Sequence, residues 1–138
     1  MGIIMAIDYG SKKTGIAVTD PMHLIASALT TVPTGELLTF IKNYQNEETI
    51  DVLVIGEPKR FHNVASPIEE EIIRFRESVN SQFPNLKIVR QDERFTSKMA
   101  FQTLIDSGIS KKKRKDKTLV DQVSATIILQ DYLQYRAS

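Results

Sequence analysis

Three acidic positions in this chain sit where regular elements begin or end. Asp8 closes the apolar run Ile3-Ile4-Met5-Ala6-Ile7, and the pair Asp92-Glu93 follows Leu86-Lys87-Ile88-Val89-Arg90-Gln91. Asp121 stands near the start of an apolar-periodic segment that continues to about residue 135. Acids at strand ends and on a facing helix can converge on one point, where like charges need a cation between them. A hard divalent ion meets that need, and Mg²⁺ is typically held by one or two carboxylates together with substrate phosphate. The chemistry served is phosphodiester hydrolysis: in a two-metal site, ions about 4 Å apart activate water and stabilise the leaving oxygen. Asp8, central on the first strand, is the candidate to bridge both ions.

Each acid also has a plain structural reading. Asp8-Tyr9-Gly10 is the composition of a turn, and Thr14-Gly15 after it adds a second glycine that would let a phosphate approach the backbone. Asp92-Glu93-Arg94 reads equally as a surface ion pair beside a helix cap. Asp121 suits a first helical turn, where the helix dipole favours acids. Adjacent strand residues face opposite sides, so Asp92 and Glu93 do not serve as one pair, and alternation alone does not say which faces inward. The order of the three positions, on hairpin strand, crossover strand and final helix, favours a metal centre over three separate accidents. Small Ser124 and Ala125 would let that helix approach the sheet and carry Asp121 to the strand ends.

Cations sit near these acids. Gly10, Lys12, Lys13 and Arg94 would contact the phosphate. The run Lys111-Lys112-Lys113-Arg114-Lys115 would hold flanking backbone through salt-dependent, largely sequence-independent contacts. A solvated loop is the plain reading of the same run. The net charge of +1 makes it a local feature of a nearly neutral chain. The two histidines, His23 and His62, read as loop residues, and Tyr9 reads as packing.

The elements that must position these groups follow from periodicity. Ile3 to Asp8 and Gly15 to Thr19 read as strands joined by a hairpin, with a third strand from Ile25 to Val32. A helix with Leu37, Phe40, Ile41 and Tyr44 on one face follows, then a buried strand over Asp51 to Gly56. Ser66-Pro67-Ile68-Glu69 has the pattern of a capping box with proline at the first helical position. Ile68, Ile72, Phe75, Val79 and Phe83 mark that helix's apolar face. Leu86 to Gln91 is a fifth strand. Thr96 or Ser97 caps a helix to about Asp106, with Gly108 beyond it, and a last helix from about Thr118 to Tyr135 buries Val120, Val123, Ile127 and Leu129. The order predicts one α/β domain over residues 1–138, with a mixed sheet of three antiparallel and then two parallel strands flanked by helices.

Composition narrows the classes. The chain has 138 residues, 41% hydrophobic and 25% charged, ordinary for one globular domain. The absence of cysteine excludes disulfides, thiolate zinc sites and cysteine nucleophiles. No apolar run is long enough to span a bilayer and no signal-peptide pattern is evident, so a cytoplasmic protein without a membrane partner is expected.

The sequence resembles the YqgF family of Holliday-junction-resolvase-like bacterial nucleases. The matching stretches are Ile7-Asp8-Tyr9-Gly10 with Thr14-Gly15-Ile16-Ala17-Val18, Val54-Ile55-Gly56-Glu57-Pro58, Asp92-Glu93-Arg94-Phe95-Thr96-Ser97, and Lys115-Asp116-Lys117 through Val120-Asp121-Gln122-Val123-Ser124-Ala125 to Leu129-Gln130. The resemblance spans nearly the whole chain. It implies a ribonuclease-H-like fold, Asp8, Glu93 and Asp121 as the catalytic and metal-binding acids, and Mg²⁺ or Mn²⁺ as cofactor. It implies a role in 5′-end trimming of precursor 16S ribosomal RNA, or cleavage of branched DNA. Apart from the resemblance, nucleic acid and the ribosome are the expected partners, and monomer and weak homodimer stay open. One stretch departs: many members read roughly Pro-Leu-Asn-Met-Asp-Gly where this chain has Pro58-Lys59-Arg60-Phe61-His62-Asn63-Val64-Ala65, so that loop's substrate contacts do not carry over. Two other classes compete. An actin-like phosphotransferase explains the Asp-x-Gly hairpin but needs a second lobe. A non-catalytic nucleic-acid or ribosome-binding module explains the basic run but not converging acids.

Overall fold

The computed structural model describes residues 2–57, 67–92 and 117–137. Strands β1 (Ile3–Asp8), β2 (Lys13–Thr19) and β3 (Ala26–Pro33) come first. A 3₁₀ turn (Thr34–Glu36) leads into helix α1 (Leu37–Glu47), followed by β4 (Ile50–Glu57), α2 (Pro67–Gln82), β5 (Lys87–Asp92) and α3 (Lys117–Ala137). The strands form one five-stranded sheet in the order β3-β2-β1-β4-β5. β1–β2 and β2–β3 are antiparallel, and β1–β4 and β4–β5 are parallel. This is the mixed sheet the sequence predicts. The carboxyl ends of β1, β4 and β5 therefore share one edge, the edge at which open α/β sheets bind ligands.

β1 is buried on both faces, which is why it reads as an unbroken apolar run rather than an alternating one. Ile3, Met5 and Ile7 join the core under α1 and α2 with Leu37, Ile41, Ile72 and Val79. Ile4 and Ala6 join the opposite core with Ala125, Ile128, Leu129 and Tyr132 of α3. On α3 the buried set differs from the one expected: Ile127 and Leu129 are buried, whereas Val120 and Val123 are half-buried. The stripe at 125, 128, 129 and 132 has helical spacing and fits the sheet better than the stripe expected. On α2 the expected apolar face holds, with Ile72 and Val79 buried and Ile68, Phe75 and Phe83 packed against them.

Glu69 has a role the capping-box pattern did not suggest. Its carboxylate accepts from both terminal nitrogens of Arg90 on β5, Nη1 to Oε1 at 2.7 Å and Nη2 to Oε2 at 3.1 Å. Arg90 also donates from Nε to the Ile55 carbonyl at 3.3 Å and from Nη2 to the Gly56 carbonyl at 3.1 Å. One guanidinium thus ties α2 and β5 to the carboxyl end of β4. The two side chains are only 15% and 9% exposed. Glu69→Ala should cost roughly 3–5 kcal/mol, because it leaves a buried charge without its partner. Tm should fall by about 10–15 °C, and a fall of under about 2 °C in a thermal melt would contradict this account.

Asp131 on α3 provides a pH-dependent check. Burial pushes its carboxyl above the ordinary value. A raised carboxyl favours the folded state below the ordinary carboxyl range and loses that contribution as pH rises through the folded value. Asp131→Asn should therefore melt higher than wild type at about pH 7, with the advantage vanishing below about pH 4. Melting curves at the two pH values, with no difference at the higher one, would refute the assignment.

The helix expected to begin at Thr96 or Ser97 lies outside the described residues, as do Ser66, the Pro58–Ala65 loop and the Lys111–Lys115 run. Among the described residues, no helix is long and apolar enough to cross a membrane.

Candidate active site

Asp8 is the last residue of β1 and follows Ile4 and Ala6 on the α3 face of the sheet. Its register partner on β2 is Gly15. Directly opposed residues share a face, so a side chain at position 15 would stand beside Asp8 and under α3. Glycine leaves that space to the helix backbone. A Cβ placed on Gly15 would lie 2.1 Å from the Asp121 carbonyl oxygen and 3.0 Å from the Gln122 nitrogen. The first turns of α3 are thus seated in a notch at Gly15, directly across from Asp8. Gly15 lies in β2, within the strand expected from Gly15 to Thr19, and the expectation that it opens the backbone to a phosphate is corrected: the α3 backbone fills that space. Ser124 and Ala125 continue the close contact, both buried. The Ser124 hydroxyl has no hydrogen-bond partner among the described residues.

Asp8 and Asp121 line one cleft of about 560 Å³, together with Tyr9, Gly10, Ser11, Lys12 and Lys13. The β1–β2 turn forms its wall and is fastened at several points. Gly10 is required there, since a Cβ would fall 2.4 Å from the Lys13 carbonyl oxygen. The Thr34 amide donates to the Lys12 carbonyl at 2.9 Å. The Thr34 hydroxyl donates to the Gly10 carbonyl at 2.5 Å and accepts from the Thr14 hydroxyl at 2.9 Å. Ser11 donates to Glu71 Oε2 on α2 at 3.0 Å. The Tyr9 ring packs on Phe75 with centroids 5.5 Å apart, the packing role expected of it. Burial, and then the charge of Glu71, push the Tyr9 phenol above its ordinary value. Lys12 and Lys13 are exposed at the mouth.

Ser11, Thr34 and Glu71 were not anticipated. Thr34 carries a local signal, a threonine ahead of a helix, but its target lies 24 residues earlier. Only the pairing of Lys13 with Pro33 brings the two together.

Of the predicted site residues, the structure brings Asp8, Gly10, Lys12, Lys13 and Asp121 to one cleft. Glu93, Arg94 and Lys111, Lys112, Lys113, Arg114 and Lys115 lie outside the described residues. β5 reaches Asp92 at the same sheet edge, paired with Glu57. Among the described residues, no three His, Asp or Glu gather as a metal site. Among the described residues, the metal donors that line the cleft are two carboxylates, with no nitrogen or sulfur ligand beside them. That set suits Mg²⁺ or Mn²⁺. His23 is far from it. Its ring Nε2 bonds the Gly2 carbonyl at 2.8 Å and its Nδ1 meets Arg136 at 3.2 Å, so it fastens the opposite end of the sheet.

Comparison with known proteins bears on the family and the fold. A family model described as "RuvX: Holliday junction resolvase" matches residues 2–135. A Flavobacterium johnsoniae protein named "Putative pre-16S rRNA nuclease" is 54% identical over 94% of each chain. A Bacteroides thetaiotaomicron protein of the same name is 51% identical over 97% of each. Among solved structures, Thermus thermophilus RuvC in complex with a Holliday junction substrate superposes with a TM-score of 0.60 at 13% identity, over 100% of this chain and 97% of that one. The fowlpox virus Holliday junction resolvase superposes with a TM-score of 0.55 at 14% identity, over 99% of each. The fold is that of the RuvC-like, ribonuclease-H-like resolvases, and the chain belongs to the RuvX family, the YqgF family of nucleases that its sequence resembles.

Proposed function

We propose that residues 1–138 form one divalent-metal-dependent nuclease domain that trims the 5′ end of precursor 16S ribosomal RNA in the cytoplasm. The observation that carries this reading is the meeting of Asp8 and Asp121 in one cleft beside Lys12 and Lys13. Asp8 and Asp121 bring two hard carboxylate donors to one cleft of about 560 Å³, a donor type that suits a divalent cation shared with a substrate phosphate. Asp8 and Asp121 are the ligands for Mg²⁺ or Mn²⁺, and Glu93, beyond the end of β5, is the third. A divalent ion held there supplies the charge that activates water and stabilises the leaving oxygen. Asp8 is rigid because it ends a strand buried on both faces. Asp121 is rigid because its backbone fills the Gly15 notch. Lys12 and Lys13, on a turn pinned by Thr34 and Glu71, neutralise the phosphate as charge develops on it. Arg94 and the Lys111–Lys115 run hold the flanking strand.

A second reading is cleavage of branched DNA, favoured by the family description and by the fold shared with junction resolvases. A side-by-side cleavage assay separates the two. Wild-type protein with Mg²⁺ or Mn²⁺ should process a ribosomal RNA precursor and leave a DNA four-way junction intact. Paired cuts in the junction, with the RNA untouched, would replace the first reading by the second.

A further inference from the structure

A second surface on the same face of the sheet has no assigned role. Among the described residues, α3 packs mainly on β1, β2 and β3 and leaves the outer strand β5 largely uncovered. A groove of about 240 Å³ opens between β5 and the last turns of α3, with Lys87, Val89 and Gln91 on one side and Tyr132, Tyr135 and Arg136 on the other. Tyr135 is 75% exposed, and Lys87 and Arg136 are exposed beside it. Among the described residues, neither Lys87 nor Tyr135 is spent on an ion pair or a ring contact, and no acid lines the groove. A large exposed aromatic flanked by cations, in a groove whose described lining holds no acid, has the composition of a stacking platform for unpaired bases.

We propose that this groove binds a single-stranded stretch of nucleic acid leaving the Asp8–Asp121 cleft, with Tyr135 stacked on a base and Lys87 and Arg136 on phosphates. The inference rests on the nuclease reading for the direction of the strand. Tyr135 lies about four turns along α3 from Asp121, roughly 20 Å. At a stacked rise of about 3.4 Å per nucleotide, that span is about six nucleotides. Gln91, at the end of β5 nearest the cleft, and Lys87, at its far end, lay out the path between. A duplex is not the expected ligand, because its bases are already stacked and offer Tyr135 no face.

The test is fluorescence anisotropy with labelled twelve-nucleotide single-stranded RNA and DNA, in chelator so that nothing is cut. Tyr135→Ala should weaken binding roughly 5- to 100-fold, the range for losing one stacked base, while Tyr135→Phe binds as wild type. Lys87→Ala should reduce the salt slope of binding by about 1. Loss with both polymers, or with one alone, supports the groove and tells which strand it takes. A duplex of equal length should not distinguish Tyr135→Ala from wild type. Binding by Tyr135→Ala within about twofold of wild type on both single strands, or no binding by wild type, overturns the proposal. Cleavage assays keep the two readings apart. On substrates reaching six or more nucleotides beyond the cut, Tyr135→Ala should raise KM and spare kcat, and on shorter ones it should match wild type. Wild-type protein that binds strands but cuts none overturns the nuclease reading while leaving the groove in place.

Discussion

Asp8→Asn should abolish metal-dependent cleavage while leaving the protein folded. The side chain keeps its shape and loses its charge, so the strand end, its register with Gly15 and the core beneath it are undisturbed. What would disappear is the proposed hard anionic ligand at the end of a buried strand. An amide oxygen is a far weaker ligand for Mg²⁺ than a carboxylate, and removing one ligand from a site with few also removes the charge that balances the ion. Cleavage should fall below detection. Far-ultraviolet circular dichroism and Tm should stay close to wild type, as for a substitution that opens no cavity and buries no unpaired charge. Full activity in this variant would remove Asp8 from the mechanism. Loss of activity accompanied by unfolding would make Asp8 a structural residue instead.

Gly15→Ala should be as damaging to activity by an entirely different route. The added methyl would lie 2.1 Å from the Asp121 carbonyl oxygen and 2.4 Å from its carbonyl carbon. Both atoms are backbone, so no side chain can turn aside and α3 itself must lift. Overpacking of this kind costs up to roughly 3 kcal/mol, or about 10 °C in Tm. The lift also draws Asp121 away from Asp8, so cleavage should be lost even at temperatures where the variant remains folded. Gly35→Ala is the internal control, since a Cβ there meets nothing within 4 Å. It should leave both Tm and cleavage unchanged. Equal behaviour of the two alanine variants would contradict the notch.

The contrast between these two residues shows what the sequence carries. Asp8 is legible because β1 is buried on both faces, so its apolar run ends abruptly where the chain meets the site. The alternation of helices and strands after residue 36 predicts the parallel half of the sheet for the same kind of local reason. Gly15 is legible as a strand residue, but its reading as an opening for a phosphate misses the helix backbone that fills the space. Its true function depends on a helix more than a hundred residues later, which no local pattern encodes. Glu69 and Arg90 are a similar case. Each has a local reading, a capping acid and a charged strand residue, and their pairing emerges only when α2 is laid across β4 and β5. Asp121 falls between: helix position and acid are legible, and the contact that gives it a role is not.

The central claim is that Asp8 and Asp121 together hold a divalent cation. The most direct measurement is the thermal shift on adding Mg²⁺ or Mn²⁺ to wild type, Asp8→Asn and Asp121→Asn. A ligand at about 100 times its Kd stabilises the folded state by roughly 2.7 kcal/mol. For a chain of this size, that is a rise of about 10 °C. Wild type should show this rise, and each variant should lose most of it while melting near wild type in chelator. Equal metal-dependent shifts in all three proteins would place the cation elsewhere and contradict the account.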